Sequence, residues 1–235
     1  MNKRVMFFFP YVGASSLTFQ KWKSIFSPEI ECVILDYPGH GTDEEELSND
    51  LKVIADKMYR KVIAYLDDGD EYYLCGHCIG ALVAFEVFKL LKEKCTKTMP
   101  NALFLCSQVA PDKNKSDGLL NMDDDELCEY LLKNNLIAEV VLQDDMKEYL
   151  EGIILAPIRN DEYAADNYKT EFPVKKYDSQ VFVCYGEQDE EVSVDIKSWE
   201  KYFNEVEYIQ FEGAHYFPWD DEELFADEIK DALDL

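Results

Sequence analysis

Short apolar runs alternate with longer amphipathic stretches along most of the chain. The runs are rich in β-branched or aromatic side chains, which is typical of buried strands. They occupy residues 5–9, 31–35, 72–75, 102–106, 181–185 and 206–211. Apolar positions recur at intervals of three and four near residues 17–26, 47–66, 79–94, 193–203 and 220–233, which predicts helices. The alternation predicts an α/β fold in which a mostly parallel central sheet carries helices on both faces.

Residues from about 112 to 172 interrupt this alternation, because they have helical periodicity with no strand-like run between. We therefore predict a helical insertion at 112–172 that acts as a lid. The chain shows no internal repeat and no Pro/Gly-rich linker, and its 235 residues suit one α/β domain. We expect residues 1–235 to form a single domain with this insertion.

The charge of the chain restricts its partners. Asp and Glu number 49 against 23 Lys and Arg, which gives a formal charge of −26, while 47% hydrophobic residues are enough for a folded core. Such a charge repels phosphate backbones and anionic membranes, so we expect no nucleic-acid or membrane partner. Seven scattered cysteines without zinc-site spacing fit reduced thiols. We expect a cytoplasmic monomer with no metal and no cofactor.

The junction after the third apolar run carries the main candidate for chemistry. Residues 76–80 read Gly-His-Cys-Ile-Gly and stand between a predicted strand and a predicted helix. This is the form of a nucleophile elbow, G-x-S-x-G, with Cys78 at the nucleophile position. The flanking glycines permit close backbone packing, and the helix N-terminus stabilises negative charge on the nucleophile. We predict that Cys78 is a nucleophile whose thiolate form is favoured.

A second interpretation competes for the same residues. Cys75 and Cys78 form a C-x-x-C pair, the pattern of thiol–disulfide oxidoreductases. No Trp precedes the first cysteine, and a redox role leaves Gly80 and the acid and base described below unexplained. Thiol–disulfide exchange and a purely structural pair of core cysteines are the alternatives to the elbow.

Later strand ends supply an acid and a base in the chain order that elbow enzymes need. Asp189 lies in the loop after the fifth apolar run, and His215 lies in the loop after the sixth. We predict that His215 is the base and that Asp189 orients it. The acid loop offers two further carboxylates that could replace Asp189, Glu187 and Glu190.

Two backbone amides are predicted to form an oxyanion hole. Ile79 directly follows the nucleophile and supplies the first amide. The second comes from the loop after the first strand, where residues 9–14 read Phe-Pro-Tyr-Val-Gly-Ala and allow a tight turn. We favour the amide of Val12, with that of Tyr11 as the alternative.

Together these motifs resemble the type II thioesterases of nonribosomal peptide and polyketide pathways, within the α/β-hydrolase fold. The loop at 9–14 with the downstream Trp22 is similar to the family's Phe-Pro-Tyr-Ala-Gly-Gly and Trp. Residues 37–42, Tyr-Pro-Gly-His-Gly-Thr, are similar to its Leu-Pro-Gly-Arg-Gly. The resemblance covers nearly the whole chain. It departs at Cys78, where the family normally has Ser, and at His40, which replaces an Arg.

The resemblance implies hydrolysis of acyl, aminoacyl or peptidyl thioesters on the phosphopantetheine arms of carrier proteins. A Cys78–His215–Asp189 triad would act through an acyl-enzyme and clear misprimed or stalled chains. Because acyl transfer to cysteine gives another thioester, the acyl-enzyme stays activated toward amines as well as water. An acyltransferase or amide-forming release enzyme is therefore an alternative, and a carrier-binding protein without turnover is another.

Overall fold

The computed structural model describes residues 3–94, 99–114 and 118–235. Within these residues, six parallel strands form one sheet in the order β2-β1-β3-β4-β5-β6. The strands are β1 (Arg4–Phe9), β2 (Glu31–Ile34), β3 (Glu71–His77), β4 (Ala102–Cys106), β5 (Val181–Gly186) and β6 (Glu207–Phe211). The predicted α/β fold with a parallel sheet is confirmed, and each predicted strand agrees to within two residues at either end.

Helices cover both faces of the sheet. Outside the stretch between β4 and β5 they are α1 (Trp22–Ile25), α2 (Leu51–Tyr65), α3 (Ile79–Lys94), α7 (Glu190–Ser193), α8 (Phe217–Asp220) and α9 (Glu222–Ala232). α2 begins after Asp50, whose side chain accepts hydrogen bonds from the amides of Lys52 and Val53. The predicted helix at 79–94 agrees with α3 at both ends.

The helix predicted near 17–26 is wrong over its first half, because only α1 is helical there. The preceding residues form turns. The amide and the hydroxyl of Ser16 both donate to the carboxylate of Asp36, at 2.6 and 2.9 Å. This attachment to the loop after β2 holds the chain away from a helical path.

The continuous helix predicted at 193–203 is also wrong. The chain forms the short α7 and then a 3-10 helix at Ile196–Lys201. The indole of Trp199 donates to the carbonyl of Gln108 at 2.8 Å. Tertiary attachment to the loop after β4 therefore overrides the local periodicity.

The stretch between β4 and β5 is helical. It contains a 3-10 turn (Leu119–Asn121), α4 (Asp124–Lys133), two more 3-10 turns (Glu139–Leu142 and Asp144–Met146), α5 (Lys147–Tyr149), a π-helical segment (Leu150–Leu155) and α6 (Ala156–Asn167). We call residues 119–167 the helical insertion. It has an apolar cluster of its own, with Leu127, Leu155 and Ile158 among the buried members.

The sheet has a different apolar cluster on each face, and β1 contributes to both. Alternate β1 residues pack with α2 and α3 on one face and with α1 and α9 on the other. The helices that follow β1 and β3 thus lie on opposite faces, which opens a crevice at the carboxyl ends of these two strands. Val12, just beyond β1, contacts both clusters and that of the helical insertion. None of the described helices is long and apolar enough to cross a membrane.

Candidate active site

Cys78 is the single residue between β3 and α3, at the edge of the crevice. Its φ of 56° lies in the left-handed region, which costs a non-glycine residue about 1–3 kcal/mol. A Cβ on Gly76 would overlap the carbonyl of Gly80, and a Cβ on Gly80 would overlap the carbonyl of Phe9. Both glycines are required for the backbone to turn this sharply from strand to helix.

The turn places Cys78 at the positive end of α3. Its amide donates to the carbonyl of Cys106 at 2.9 Å, which fixes the turn to the end of β4. The residue is only 7% exposed. Ile79 is the first residue of α3, where amides have no intrahelical acceptor. The helix dipole and these amides favour negative charge at the sulfur.

The ends of β5 and β6 bring a carboxylate and an imidazole to this turn. His215 Nδ1 lies 3.1 Å from Asp189 Oδ2, and the side chain of His215 is also hydrogen-bonded to that of Cys78. Asp189 is buried, whereas Glu187 and Glu190 are exposed. The structure therefore places the three predicted residues together and puts Asp189, not its neighbours, against the imidazole.

The electrostatics of the site favour a charged imidazole. Burial opposes protonation of His215, but its hydrogen bonds to Asp189 and Cys78 and the charges of both groups outweigh this effect. The pKa of His215 is raised well above its ordinary value. An imidazolium beside the sulfur stabilises a thiolate, which is the nucleophilic form of cysteine.

The loop after β1 makes a tight turn beside the elbow. The amide of Ala14 donates to the carbonyl of Tyr11 at 3.0 Å, and Gly13 has a φ of 70°. The amide of Gly13 donates at 2.8 Å to Asp161 Oδ2 of the helical insertion. The contact between Gly80 and Phe9 brings this turn next to α3. The turn therefore lies where the predicted second oxyanion donor, the amide of Val12, would have to be.

The thioesterase domain family matches residues 4–233. The chain belongs to this family. It is therefore a thioester hydrolase, and the match extends over the whole sheet and all three residues gathered at the elbow.

Relatives of this thioesterase include thioesterase PikA5 of Streptomyces venezuelae, 23% identical over 227 residues that cover 95% of this chain and 79% of the relative. Phenyloxazoline synthase MbtB of Mycobacterium tuberculosis is 23% identical over 89% of this chain, which corresponds to 14% of that protein. Two solved structures are similar at 21% identity and a TM-score of 0.86. ClbQ from the colibactin NRPS/PKS pathway covers 99% of this chain and 98% of its own, and YbtT, a type II thioesterase from the yersiniabactin pathway, covers 98% and 93%. These likenesses confirm the α/β-hydrolase fold.

Two residues of the thioesterase that the sequence did not single out hold the loop that carries His215. Ser107, at a φ of 46°, donates its hydroxyl to the carbonyl of His215 at 2.9 Å. A Cβ on Gly186 would overlap the carbonyl of Ala214, so this glycine lets the acid loop approach the base loop. Gly186 could have been found from its place directly after a strand, whereas nothing in the sequence marks Ser107.

His77 is a packing residue of the elbow. Its ring centroid lies 5.0 Å from that of Trp219, 5.3 Å from that of His215 and 6.0 Å from that of Tyr11. Burial and the positive charge of His215 hold the pKa of His77 well below its ordinary value. His77 is therefore neutral and fills an aromatic pocket.

The surroundings of Cys75 do not favour the redox role that a C-x-x-C pair would have. Its Sγ lies 4.0 Å from Cys106 Sγ, and burial raises the pKa of the Cys75 thiol well above its ordinary value. No disulfide joins Cys75 and Cys78. Cys95 lies outside the described residues. Within the described ranges, no three His, Cys, Asp or Glu side chains form a metal-binding group.

Proposed function

We propose that this thioesterase removes acyl, aminoacyl or peptidyl groups from the phosphopantetheine arms of carrier proteins in nonribosomal peptide or polyketide biosynthesis. It would act in the cytoplasm as a stand-alone monomer. The NRPS/PKS pathways from which ClbQ and YbtT come support this substrate class. The helical insertion, next to the turn that holds Val12, would serve as the lid that covers the acyl chain.

The observation that carries the proposal is the contact of the strained elbow residue with a charged acid–base pair. Cys78 is held in the left-handed region, hydrogen-bonded to His215, and His215 is hydrogen-bonded to the buried Asp189. A cysteine that only fills space in the core would need neither a left-handed backbone nor a charged imidazole beside its sulfur. The arrangement has the geometry of a nucleophile, a base and an orienting acid.

In the acylation step the Cys78 thiolate attacks the thioester carbonyl carbon, with the thiol proton held on His215. The amides of Ile79 and Val12 donate to the oxyanion. When the tetrahedral adduct collapses, the bond to the phosphopantetheine sulfur breaks and that sulfur takes the proton from His215. The acyl group is left on Cys78 Sγ as a new thioester.

In the deacylation step His215 takes a proton from water, and the hydroxide oxygen attacks the acyl carbon. Collapse breaks the bond to Cys78 Sγ, releases the carboxylic acid and restores the thiolate–imidazolium pair. Asp189 keeps Nδ1 of His215 in the donor state throughout, so that Nε2 exchanges the proton.

The cysteine favours a second outcome alongside hydrolysis. An acyl-cysteine is a thioester with nearly the same free energy as the substrate, so an amine can attack it to give an amide. The same acyl-Cys78 would then serve an amide-forming release enzyme. Hydrolysis is the main proposal because the chain belongs to the thioesterase domain family.

Acyl-phosphopantetheinyl carrier proteins with acyl groups of different length and polarity test this function. The wild-type protein should release free acid faster than the spontaneous rate for at least one acyl group, and Cys75→Ala should do the same. Added amines that divert the product to amide would identify the second outcome. Release no faster than the spontaneous rate across the whole panel would contradict both.

A further inference from the structure

A buried histidine–carboxylate pair, outside the proposed triad, connects the helical insertion to the loops after β1 and β2. Asp161 of α6 is fully buried, and its Oδ2 accepts the amide of Gly13 at 2.8 Å. The same oxygen lies 3.0 Å from Nε2 of His40, whose side chain is 3% exposed. The proposed mechanism uses neither His40 nor Asp161.

The contacts of His40 define where its protons are. Nδ1 lies 3.0 Å from the carbonyl of Pro38, and a carbonyl only accepts, so Nδ1 carries a proton. Nε2 faces Asp161 Oδ2, the oxygen that accepts the amide of Gly13. A proton on Nε2 lets the imidazole donate a hydrogen bond to this oxygen. Asp161 Oδ1 has no hydrogen-bond partner among the described residues. The charge of this buried carboxylate is therefore compensated chiefly by a charged His40.

The surroundings of His40 support the charged form. Burial lowers the pKa of His40, but the hydrogen bond and charge of Asp161, the carbonyl of Pro38 and the charge of Asp36 outweigh it, and the pKa is raised above its ordinary value. Asp36 is itself held by Ser16 and Thr42.

The remaining groups around this loop have partners of their own. The ring centroid of Tyr37 lies 5.7 Å from that of His40, and its hydroxyl donates to the carbonyl of Pro10. Lys61 of α2 donates to the carbonyl of Asp36 and to Asp43. Asp161 is thus the acidic side chain that bonds the ring of His40 directly.

The amide that Asp161 holds belongs to the turn of the proposed oxyanion hole. Gly13 follows Val12, and the turn closes between Ala14 and Tyr11. A Cβ on Gly13 would overlap Ile158 of α6, so the turn is pressed against the same helix that carries Asp161. The peptide plane that carries the Gly13 amide also carries the carbonyl of Val12. Its attachment to Asp161 and the hydrogen bond that closes the turn therefore fix the backbone on the carboxyl side of Val12 and restrict the direction of the Val12 amide.

We propose that His40 is a positioning residue for the oxyanion hole: the charged imidazole holds Asp161, and Asp161 holds the turn that presents the amide of Val12. The proposal rests on the proposed function, since it assigns a task within that site. It predicts that loss of the His40 proton leaves a bare Nε2 lone pair facing the carboxylate and weakens the attachment of the turn.

Two reactions of Cys78 separate this effect from a general loss of structure. Acylation by an acyl thioester passes through an oxyanion, whereas alkylation by iodoacetamide displaces iodide and forms none. Intact-mass analysis measures both rates. Peptide digestion separates modification of Cys78 from modification of the other cysteines. The ratio of the acylation rate to the alkylation rate then measures how well the oxyanion is stabilised, because the reactivity of the sulfur affects both rates.

In His40→Gln the acylation rate should fall about tenfold or more while the alkylation rate changes less than twofold, since displacement of catalytic groups by about 1 Å costs up to 10²-fold. His40→Arg, which stays charged, should restore much of the ratio. In the wild type the ratio should fall as pH rises through the pKa of His40. His40→Arg should lack this fall and keep only the fall that both proteins share when His215 loses the proton that the leaving sulfur needs. Asp161→Asn should shift the wild-type fall to lower pH.

The outcomes distinguish the two proposals. A His40→Gln ratio equal to that of the wild type, or the same pH dependence of the ratio in wild type and His40→Arg, would overturn the positioning role alone. A wild-type Cys78 that is alkylated but never acylated would overturn the proposed function. If His40→Gln does not fold, the comparison of wild type with His40→Arg and Asp161→Asn decides the question.

Discussion

Gly80 packs directly against the carbonyl oxygen of Phe9, and a methyl group on its Cα would overlap that oxygen. This contact joins the first turn of α3 to the end of β1. It therefore sets the distance between the elbow that carries Cys78 and the turn that carries Val12. The position of the site depends on a residue with no side chain.

Replacing this glycine should destabilise the whole fold. Gly80→Ala forces a methyl group against backbone, which cannot rotate away, and we expect the free energy of unfolding to fall by about 3 kcal/mol. Gly152→Ala is the matched control, because a Cβ there meets nothing within 4 Å. Urea denaturation of both variants measures the difference. Equal stability of the two variants would mean that the close approach at Gly80 is not required.

The orienting acid can be tested by an isosteric change. Asp189→Asn removes the charge that supports the imidazolium of His215 and permits the wrong tautomer, so thioester hydrolysis should fall about 100-fold or more. Glu187→Gln removes an exposed carboxylate two residues away and should leave the rate within twofold. Steady-state rates on one acyl thioester give the comparison. A larger loss in Glu187→Gln than in Asp189→Asn would reassign the acid.

The buried neutral His77 should make the protein sensitive to acid. Its pKa is lowered in the folded state by burial and by His215, so below about pH 6.5 the unfolded chain binds a proton that the folded chain does not. The free energy of unfolding should then fall by about 1.4 kcal/mol for each pH unit.

His40 and His215 act in the opposite direction, because their raised pKa values keep them protonated in the folded state while the unfolded chain still gains protons near pH 6.5, and this contribution fades toward pH 5.5. Their stabilisation is lost instead as pH rises through their folded pKa values. His77→Phe keeps a ring against Trp219 and should reduce the loss of stability between pH 6.5 and pH 5.5. Denaturation curves at both pH values check this, and an unchanged slope in His77→Phe would place the acid sensitivity elsewhere.

Much of the fold could be predicted because burial and backbone direction leave a strong local pattern. Strands that are buried on both faces, such as β4, are continuous apolar runs, and the elbow marks the start of α3. The helix predicted at 193–203 failed because Trp199 bonds the carbonyl of Gln108, a long-range contact that periodicity does not contain.

Some residues of the candidate site could likewise be predicted from local sequence, and others could not. Cys78, Asp189 and His215 could be assigned because each follows a strand, and carboxyl ends of parallel strands meet at one edge of a sheet. Ser107 and Asp161 could not be assigned in this way. Each acts on a loop more than 100 residues distant in the chain, at the carbonyl of His215 and the amide of Gly13.

Carrier docking should depend little on salt, or improve with it. The chain has a formal charge of −26, and an acidic carrier protein would be repelled at long range. Of the lysines near the end of α3, Lys89 is paired with Glu86 at 2.8 Å and Lys94 with Asp56 at 3.0 Å. Lys97 lies outside the described residues.

The test is the dissociation constant for a phosphopantetheinylated acidic carrier protein as ionic strength rises from about 0.02 to about 0.3 M, over which the screening length shortens severalfold. We expect the dissociation constant to stay level or to decrease. A tenfold increase would instead indicate that attraction between a basic patch and the carrier guides docking.

The proposed mechanism requires that Cys78 carries the acyl group. Intact-mass analysis after mixing with an acyl thioester, quenched in acid within one turnover, measures it directly. The wild type and Cys75→Ala should both gain the mass of one acyl group, located on Cys78 by peptide mapping, and Cys78→Ala should gain none. An adduct of the same size in Cys78→Ala would show that Cys78 is not the acylated residue, and hydrolysis by Cys78→Ala at the wild-type rate would show that the reaction does not need it.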